Sequence, residues 1–528
     1  MQNKLTSTKL IIITALFLTL FDNISFFKNL INVYPVTFEN IFFLISIAIV
    51  LCSLIVFLFT LVSSKYTTKP ILILIVFISA FTNYFMNTYS VIIDDSMIQN
   101  AMNTDMKESL DLFSFELILY AFFLGLVPSY LIYKADIHYG TFKEELVKKT
   151  KTIVFSLAII SILIFAFSKF YTSFFREHKP LRLYTNPTFY IYSSYRYVET
   201  ILNSGPIVVK QIGLDAKVQK KTSKKRVVVL VIGEAARANK FSLNGYERET
   251  NPLLKQEDII NLSQVSSCGT STAVSVPCML SIFDRKDYSY QKELETENIM
   301  DVLSHADVDV LWRDNNSNWK ELVEKGLYQN YKIKENNTIY DIEARDEGML
   351  VGLDKYIASK DKDIFIVLHQ MGNHGPAYYK RYPEKFKKFT PVCQTNQLEE
   401  CSKESIGNAY DNAILYTDYF LSKVINLLKE QKDLETAMIY MGDHGESLGE
   451  NGLYLHGLPY FMAPTDQTHV ASLMWFSQNF AQVKDIEKIK QNANKKYSQD
   501  NLFHTILGIM DITTNIYDKE KDITNNEQ

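Results

Sequence analysis

Histidine and cysteine are scarce in this chain: nine and five in 528 residues, and neither sign of charge dominates, with a formal net charge of −4. The near-neutral balance excludes an ordinary nucleic-acid binder, whose domain would be strongly basic. The cysteines favour a zinc finger less than disulfides, because neither close pair has the two-to-four-residue spacing of such ligands. No small-residue cleavage site follows the first apolar run, so a removed signal peptide does not account for it. A chain of this length is expected to hold more than one domain.

Apolar residues are concentrated in the first third. Five runs, Leu10–Ile31, Phe38–Val62, Pro70–Val91, Leu112–Tyr133 and Ile153–Phe174, each approach the ~20 residues that cross a bilayer as a helix. Lysines fix their orientation. Nine lie before the first run, between the second and third, and between the fourth and fifth, while the other two loops carry only Lys28 and Lys107. The excess of positive charge on the cytoplasmic side predicts a cytoplasmic N-terminus and places everything after the fifth run outside. The 32 Tyr and 34 Phe suit such a membrane protein. In an exported domain, Cys268 with Cys278 and Cys393 with Cys401 read as disulfides, and Cys52 as an apolar residue inside a span.

Residues 176–225 read as a partly helical connector on the membrane surface, rich in aromatic rings and ending in the basic run 220–225. From Arg226 onward, candidate buried strands (Val227–Ile232, Val308–Trp312, Ile364–Leu368, Ala437–Met441, Ser472–Phe476) alternate with amphipathic stretches at Asn298–His305, Ser405–Glu430 and Gln499–Met510. This alternation predicts a parallel sheet covered on both faces, with its ligand beyond the carboxyl ends of the strands. The expected organisation is thus an α-helical transmembrane domain (1–175), a connector (176–225) and an α/β catalytic domain (226–528).

Two of the strands run into ligand-type residues: Glu234 after the first, Asp443 and His444 after the fourth. One carboxylate and an Asp-His pair form an N/O set suited to zinc with a position left open. Between those strands lies a hydroxyl-rich stretch, Ser266 to Cys278. A hydroxyl becomes a nucleophile when a metal or base activates it; the residues alone do not choose among Thr270, Ser271 and Thr272. His369, His374, His444 and His456 gather near strand ends, and the other histidines receive no role.

The runs Ile232-Gly233-Glu234, Ser267 to Met279, Trp312-Arg313-Asp314-Asn315-Asn316, His369 to Ala377 and Gly442 to Gly452 resemble those of the phosphoethanolamine–lipid A transferases, a family that includes the mobilised colistin-resistance enzymes. The resemblance covers nearly the whole chain. It implies an alkaline-phosphatase/sulfatase-like catalytic domain holding Zn2+ on Glu234, Thr272, Asp443 and His444, with Thr272 as the catalytic nucleophile. It also implies that His374 and His456 bind the phosphoryl group or a second metal, and that Asn316, Lys320 and Glu446 line the donor site. Asn100, Thr104 and Glu108 match a family triplet near the outer membrane face, at a spacing that lines one face of a helix. A third disulfide found in some relatives has no cysteines here.

The function so implied is transfer of phosphoethanolamine from phosphatidylethanolamine to lipid A, through a covalent intermediate on Thr272, by a multi-pass protein of the inner membrane with a periplasmic catalytic domain. Lower surface negative charge and polymyxin resistance would follow. Transfer to a lipopolysaccharide core sugar or a surface protein, a phosphoglycerol transferase, a sulfatase-like hydrolase and a non-catalytic scaffold on the same fold are the rival readings.

Overall fold

The computed structural model describes residues 5–103, 106–203, 207–316, 322–323 and 326–525. Two compact units emerge, Met1–Ile98 with Phe113–Glu199, and Gln99–Leu112 with Thr200–Gln528.

Among the described residues of the first unit, four helices are each long and apolar enough to cross a membrane: Ile41–Val62, Thr68–Thr88, Phe115–Lys134 and Phe142–Ala166. The run expected to span from Leu10 to Ile31 is a pair of helices, Ser7–Phe21 and Ile24–Val33, bent by 56°, which together are long and apolar enough to make a fifth span as one broken helix. The bend falls at two buried polar residues. Asn83 Nδ2 donates to Asp22 Oδ1 at 3.1 Å, and Asn23 Nδ2 donates to the carbonyl of Leu18 at 2.9 Å. A side chain that bonds the backbone near a helix end offers it an alternative to continuing the ladder. Asn23 also exchanges hydrogen bonds with the Asn186 backbone, so the start of the connector is fastened to these helices. The last span begins earlier than its apolar residues indicate. A capping box between Thr141 and Glu144 starts it at Phe142, and its lysine-rich first turns are helical too. It ends at Ala166, and after Phe167 a second helix, Ser168–Arg176, begins.

The second unit is built on seven strands: β1 (Arg226–Gly233), β2 (Ile259–Asn261), β3 (Asp309–Asp314), β4 (Leu327–Asn330), β5 (Ile364–His369), β6 (Glu435–Gly442) and β7 (Ser472–Phe476), in the order β2-β7-β6-β1-β5-β3-β4. Every residue of β1, β5 and β6 is buried. Such continuous apolar runs belong to strands covered on both faces. The sheet is parallel from β6 to β4, as expected, but β7 pairs antiparallel with both β6 and β2. This corrects the all-parallel expectation. The 443–471 stretch between β6 and β7 builds loops at the strand ends rather than a crossover helix, so the chain re-enters the sheet from the end it left. Covering helices include Lys403–Lys429, capped by Ser402, Ile299–His305, capped by Asn298, and the buried Leu502–Ile509.

At the opposite end of β1 an ion pair is fully enclosed. Arg226 NH2 lies 2.7 Å from Glu435 Oε2 with both side chains 0% exposed, and NH1 reaches the Ile509 carbonyl at 2.7 Å. Removing one partner of a buried pair strands the other charge and costs about 3–5 kcal/mol, whereas a matched apolar pair is often neutral. Glu435→Ala is therefore expected to lower the thermal midpoint of the second unit sharply, with Arg226→Met/Glu435→Leu recovering most of the loss in the same melting experiment.

Candidate active site

Adjacent parallel strands bring the first ligand types together. β1 and β6 are in register with Gly233 opposite Gly442, and the Asp443 N–H donates to the Gly233 carbonyl at 2.8 Å. The next residues, Glu234 on one strand and Asp443-His444 on the other, consequently emerge side by side at the carboxyl edge of the sheet. All three are 0% exposed. His444 Nε2 stands 3.4 Å from Glu234 Oε1 and 3.3 Å from Asp443 Oδ2.

Those two carboxylate oxygens are buried and have no hydrogen-bond partner among the described residues. His444 Nδ1 is 2.8 Å from the Gly445 carbonyl, which only accepts, so Nδ1 carries the hydrogen and a neutral ring leaves a lone pair on Nε2. With the ring in that neutral form, three electron-rich atoms converge. A cation satisfies all three, and the backbone bond on Nδ1 is the support a ligating histidine usually has. The residues fit a divalent metal.

Thr272 completes the cluster. It opens the buried helix Thr272–Leu280, after Ser271 as N-cap, and the Cys268–Cys278 disulfide joins the approach to that helix with its interior. Thr272 Oγ1 donates to Glu234 Oε2 at 3.0 Å and lies 3.2 Å from His444 Nε2. Thr270 is turned elsewhere, its hydroxyl donating to the Leu458 carbonyl at 2.7 Å. Backbone N–H groups at a helix start favour an anionic oxygen nearby.

From β3, Asn316 Nδ2 donates to Glu234 Oε2 at 2.8 Å and to the Gln370 carbonyl at 2.9 Å. The loop after β5 brings in His374. Gly372 has φ +50°, and a Cβ there would lie 3.0 Å from the Glu234 backbone, so this close turn needs glycine. Glu446 accepts from the Tyr378 hydroxyl at 2.7 Å through Oε1, and its Oε2 is 2.9 Å from His456 Nδ1. The His456 ring centroid is 4.2 Å from that of His444 and 6.2 Å from that of His374. His444, Glu446 and His456 form a second group able to hold a cation.

Electrostatics follow from enclosure. Burial, then the Asp443 charge, raises the Glu234 carboxyl above its ordinary value. Burial alone would lower His444, but Asp443 and Glu234 outweigh it and raise the ring. Burial pushes Glu446 up to about 7 and His374 down to about 4.

Of the triplet expected near the membrane, Asn100 lies on the helix Asp95–Asn103 and Glu108 on Met106–Asp111; two helices carry the ends of the expected single face. Thr104 and Lys320 lie outside the described residues. The second disulfide joins Cys393 and Cys401, and Cys52 is free.

Several supporting residues carry no local sequence signal. Gln499 Nε2 donates to the Gly442 and Asp443 carbonyls, both at 2.7 Å, while its Oε1 accepts from the Cys268 N–H at 2.6 Å, tying the hydroxyl-rich stretch to the end of β6. Asp346 accepts from the N–H groups of Met371 and Gly372, shaping the His374 loop. Arg237 donates to the Glu446 carbonyl at 2.9 Å and pairs with Glu450 and Asp466.

Residues 51–201 match the family model for the phosphoethanolamine transferases EptA/EptB, and residues 226–512 that for the sulfatases. The chain is 42% identical to the phosphatidylethanolamine transferase Mcr-1 of Escherichia coli, over 97% of this chain and 95% of that one. It belongs to the phosphoethanolamine transferase family. This transferase is also 45% identical to Mcr-2 of the same species, over 88% of each chain. Its fold superposes on the integral membrane lipooligosaccharide phosphoethanolamine transferase A of Neisseria meningitidis with a TM-score of 0.96, 36% identity and 99% of both chains covered. The catalytic unit of a phosphoethanolamine transferase thus has a sulfatase-like, alkaline-phosphatase-type fold, and the long apolar helices precede it.

Proposed function

We propose that the protein moves phosphoethanolamine from phosphatidylethanolamine to a phosphate of lipid A, in two displacements through Thr272. The observation that carries this reading is Thr272 Oγ1 at a helix start, 3.0 Å from Glu234 and 3.2 Å from His444. Glu234, Asp443, His444 and Thr272 would hold Zn2+, the ion favoured by this N/O donor set. When bound, zinc supplies Lewis-acid charge that lowers the pKa of a hydroxyl and offsets negative charge on phosphoryl oxygens.

In the first displacement Thr272 Oγ1 forms a bond to phosphorus as the bond from phosphorus to the glycerol oxygen breaks, and diacylglycerol leaves. Glu234 accepts the Thr272 hydroxyl hydrogen and relays it to the departing glycerol oxygen, so that diacylglycerol leaves as the alcohol; in the second displacement the acceptor phosphate's proton returns to Thr272 by the same carboxylate. His374 and His456 bind the equatorial oxygens, with Glu446 orienting His456 through Nδ1. In the second displacement an acceptor phosphate oxygen attacks the same phosphorus, the bond to Thr272 Oγ1 breaks, and the threonine is restored. Such a cycle gives ping-pong kinetics. Asn316 holds Glu234 by a bond to Oε2, and Lys320 and the Asn100, Thr104 and Glu108 triplet would contact the donor.

The names of the E. coli relatives Mcr-1 and Mcr-2 support the donor. The Kdo(2)-lipid A phosphoethanolamine transferase of E. coli, 30% identical over 54% of this chain, points to the same class of acceptor. Both substrates are lipids, and the reading places residues 1–175 in the inner membrane, 176–225 at its surface and 226–528 in the periplasm. An added ammonium group reduces surface negative charge, so cells carrying the protein should resist polymyxins.

The test is donor choice. Purified full-length protein given labelled phosphatidylethanolamine or phosphatidylglycerol in separate micelles, with lipid A, should label lipid A from the first alone. Equal transfer from phosphatidylglycerol would overturn the reading.

A further inference from the structure

A cluster of charges lies beside the reacting centre and reaches it through the His374 carbonyl. Asp111 ends the helix Met106–Asp111, which in sequence belongs to the loop between the Thr68–Thr88 and Phe115–Lys134 helices yet falls within the catalytic unit. Its Oδ1 is 2.5 Å from Lys380 Nζ and its Oδ2 is 2.7 Å from Arg381 NH2. The Arg381 side chain is 2% exposed. Its NH1 pairs with Glu343 Oε2 at 2.6 Å, and its Nε donates to the His374 carbonyl at 2.7 Å. A planar guanidinium gripped by two carboxylates has its remaining N–H aimed in a fixed direction, here at the His374 backbone. Arg345 steadies the same corner by donating to the Lys380 carbonyl at 2.7 Å.

A cavity of about 320 Å³ lies between Leu110 and Asp111 on one side and Asn315, Tyr340, Met371 and Arg381 on the other. The Asp111 pairs therefore set its width. Partly buried pairs of this kind hold geometry better than exposed ones, whose attraction is screened by water.

We propose that Asp111, through Lys380 and Arg381, latches the Met106–Asp111 helix to the 380–381 loop of the same unit and makes Asp111 a positioning residue for the lipid donor. This rests on the function proposed above, in which that segment and His374 both meet the donor. Arg381 is shared: its bond to the His374 carbonyl serves the chemistry, while its bond to Asp111 serves the seating of the segment. The two residues therefore have separable signatures.

Full-length protein in detergent is assayed with two donors, phosphatidylethanolamine and a water-soluble nitrophenyl ester of phosphoethanolamine that lacks acyl chains. Asp111→Lys should lower kcat/KM for the lipid by about 10- to 100-fold, mainly through KM, because misplacement of a substrate-bearing segment acts on binding and orientation. Turnover of the soluble ester should change by less than about threefold, since Glu343 still holds Arg381. Arg381→Lys should lower both. The swap Asp111→Lys/Lys380→Asp should restore most of the lipid activity. Equal loss on both donors with Asp111→Lys, or loss on neither, would overturn the latch. Hydrogen exchange gives a readout independent of any substrate. In Asp111→Lys the amides of residues 106–111 should exchange faster while those of β1 and β6 do not, and unchanged exchange at 106–111 would contradict the proposal even if the donor assignment were wrong.

Discussion

Thr272→Ala is expected to remove transfer almost completely, by roughly 10⁴- to 10⁶-fold in kcat, the range seen when a covalent nucleophile is deleted. The loss should not come from unfolding. The Thr272 side chain makes one donated hydrogen bond, to Glu234 Oε2, and that oxygen still accepts from Asn316 Nδ2 in its absence. The helix that follows keeps its Ser271 cap position and its disulfide. An unchanged thermal midpoint beside lost turnover of phosphatidylethanolamine is the expected pair of results. Thr272→Ser retains the oxygen and should retain measurable transfer. If the alanine variant still transfers phosphoethanolamine at a rate near that of the parent, the attack begins elsewhere.

Asp443→Asn should have an effect of comparable size by a different route. Asp443 Oδ1 accepts from the N–H groups of Ala235 and His444, bonds that hold the turn after β1, while Oδ2 has no such partner among the described residues and faces His444 Nε2. The amide keeps the shape and removes one negative charge from the cluster. Disturbing merely the groups around a metal's ligands costs about 10- to 100-fold in affinity, and loss of a ligand charge should cost at least that. Elemental analysis after gel filtration should therefore find the parent protein loaded with zinc and the variant largely without it. Chelation should abolish activity in the parent, and added zinc should restore it there but not in Asp443→Asn. Acid should weaken metal binding as well, because the ligating carboxylates and imidazole must be deprotonated. Full activity in the chelated parent would contradict the metal assignment.

How much of this was legible in the sequence depends on the range of the interaction. Glu234, Asp443 and His444 were readable because each follows an unbroken apolar strand, and parallel neighbours align such ends. The hydroxyl stretch was readable only as a candidate nucleophile region beside a structural Ser/Thr-rich loop, and the proposed choice of Thr272 over Thr270 and Ser271 came from the family motif; the structure shows Thr270 bonded to the Leu458 carbonyl. Asp346, Gln499 and Arg381 were not legible. Asp346 and Gln499 act through partners tens or hundreds of residues away, and Arg381 joins a carbonyl seven residues away to carboxylates 38 and 270 residues away; no local periodicity marks such side chains. The antiparallel β7 was missed for a related reason: an apolar strand looks the same in either direction, and only the path of residues 443–471 decides it. The break in the first apolar run, by contrast, was written in it as Asp22-Asn23, a polar pair that a count of apolar residues passes over.

The central claim is that Thr272 carries the phosphoethanolamine group between donor and acceptor. Purified full-length protein should be incubated with phosphatidylethanolamine and no acceptor, quenched, and digested for peptide mass spectrometry. The account predicts one phosphoethanolamine group on the peptide containing Thr272, with fragment ions assigning it to that residue, and its disappearance when lipid A is added before quenching. Modification that maps to Thr270, Ser271 or Ser275, or a peptide that stays unmodified while transfer proceeds, would contradict it.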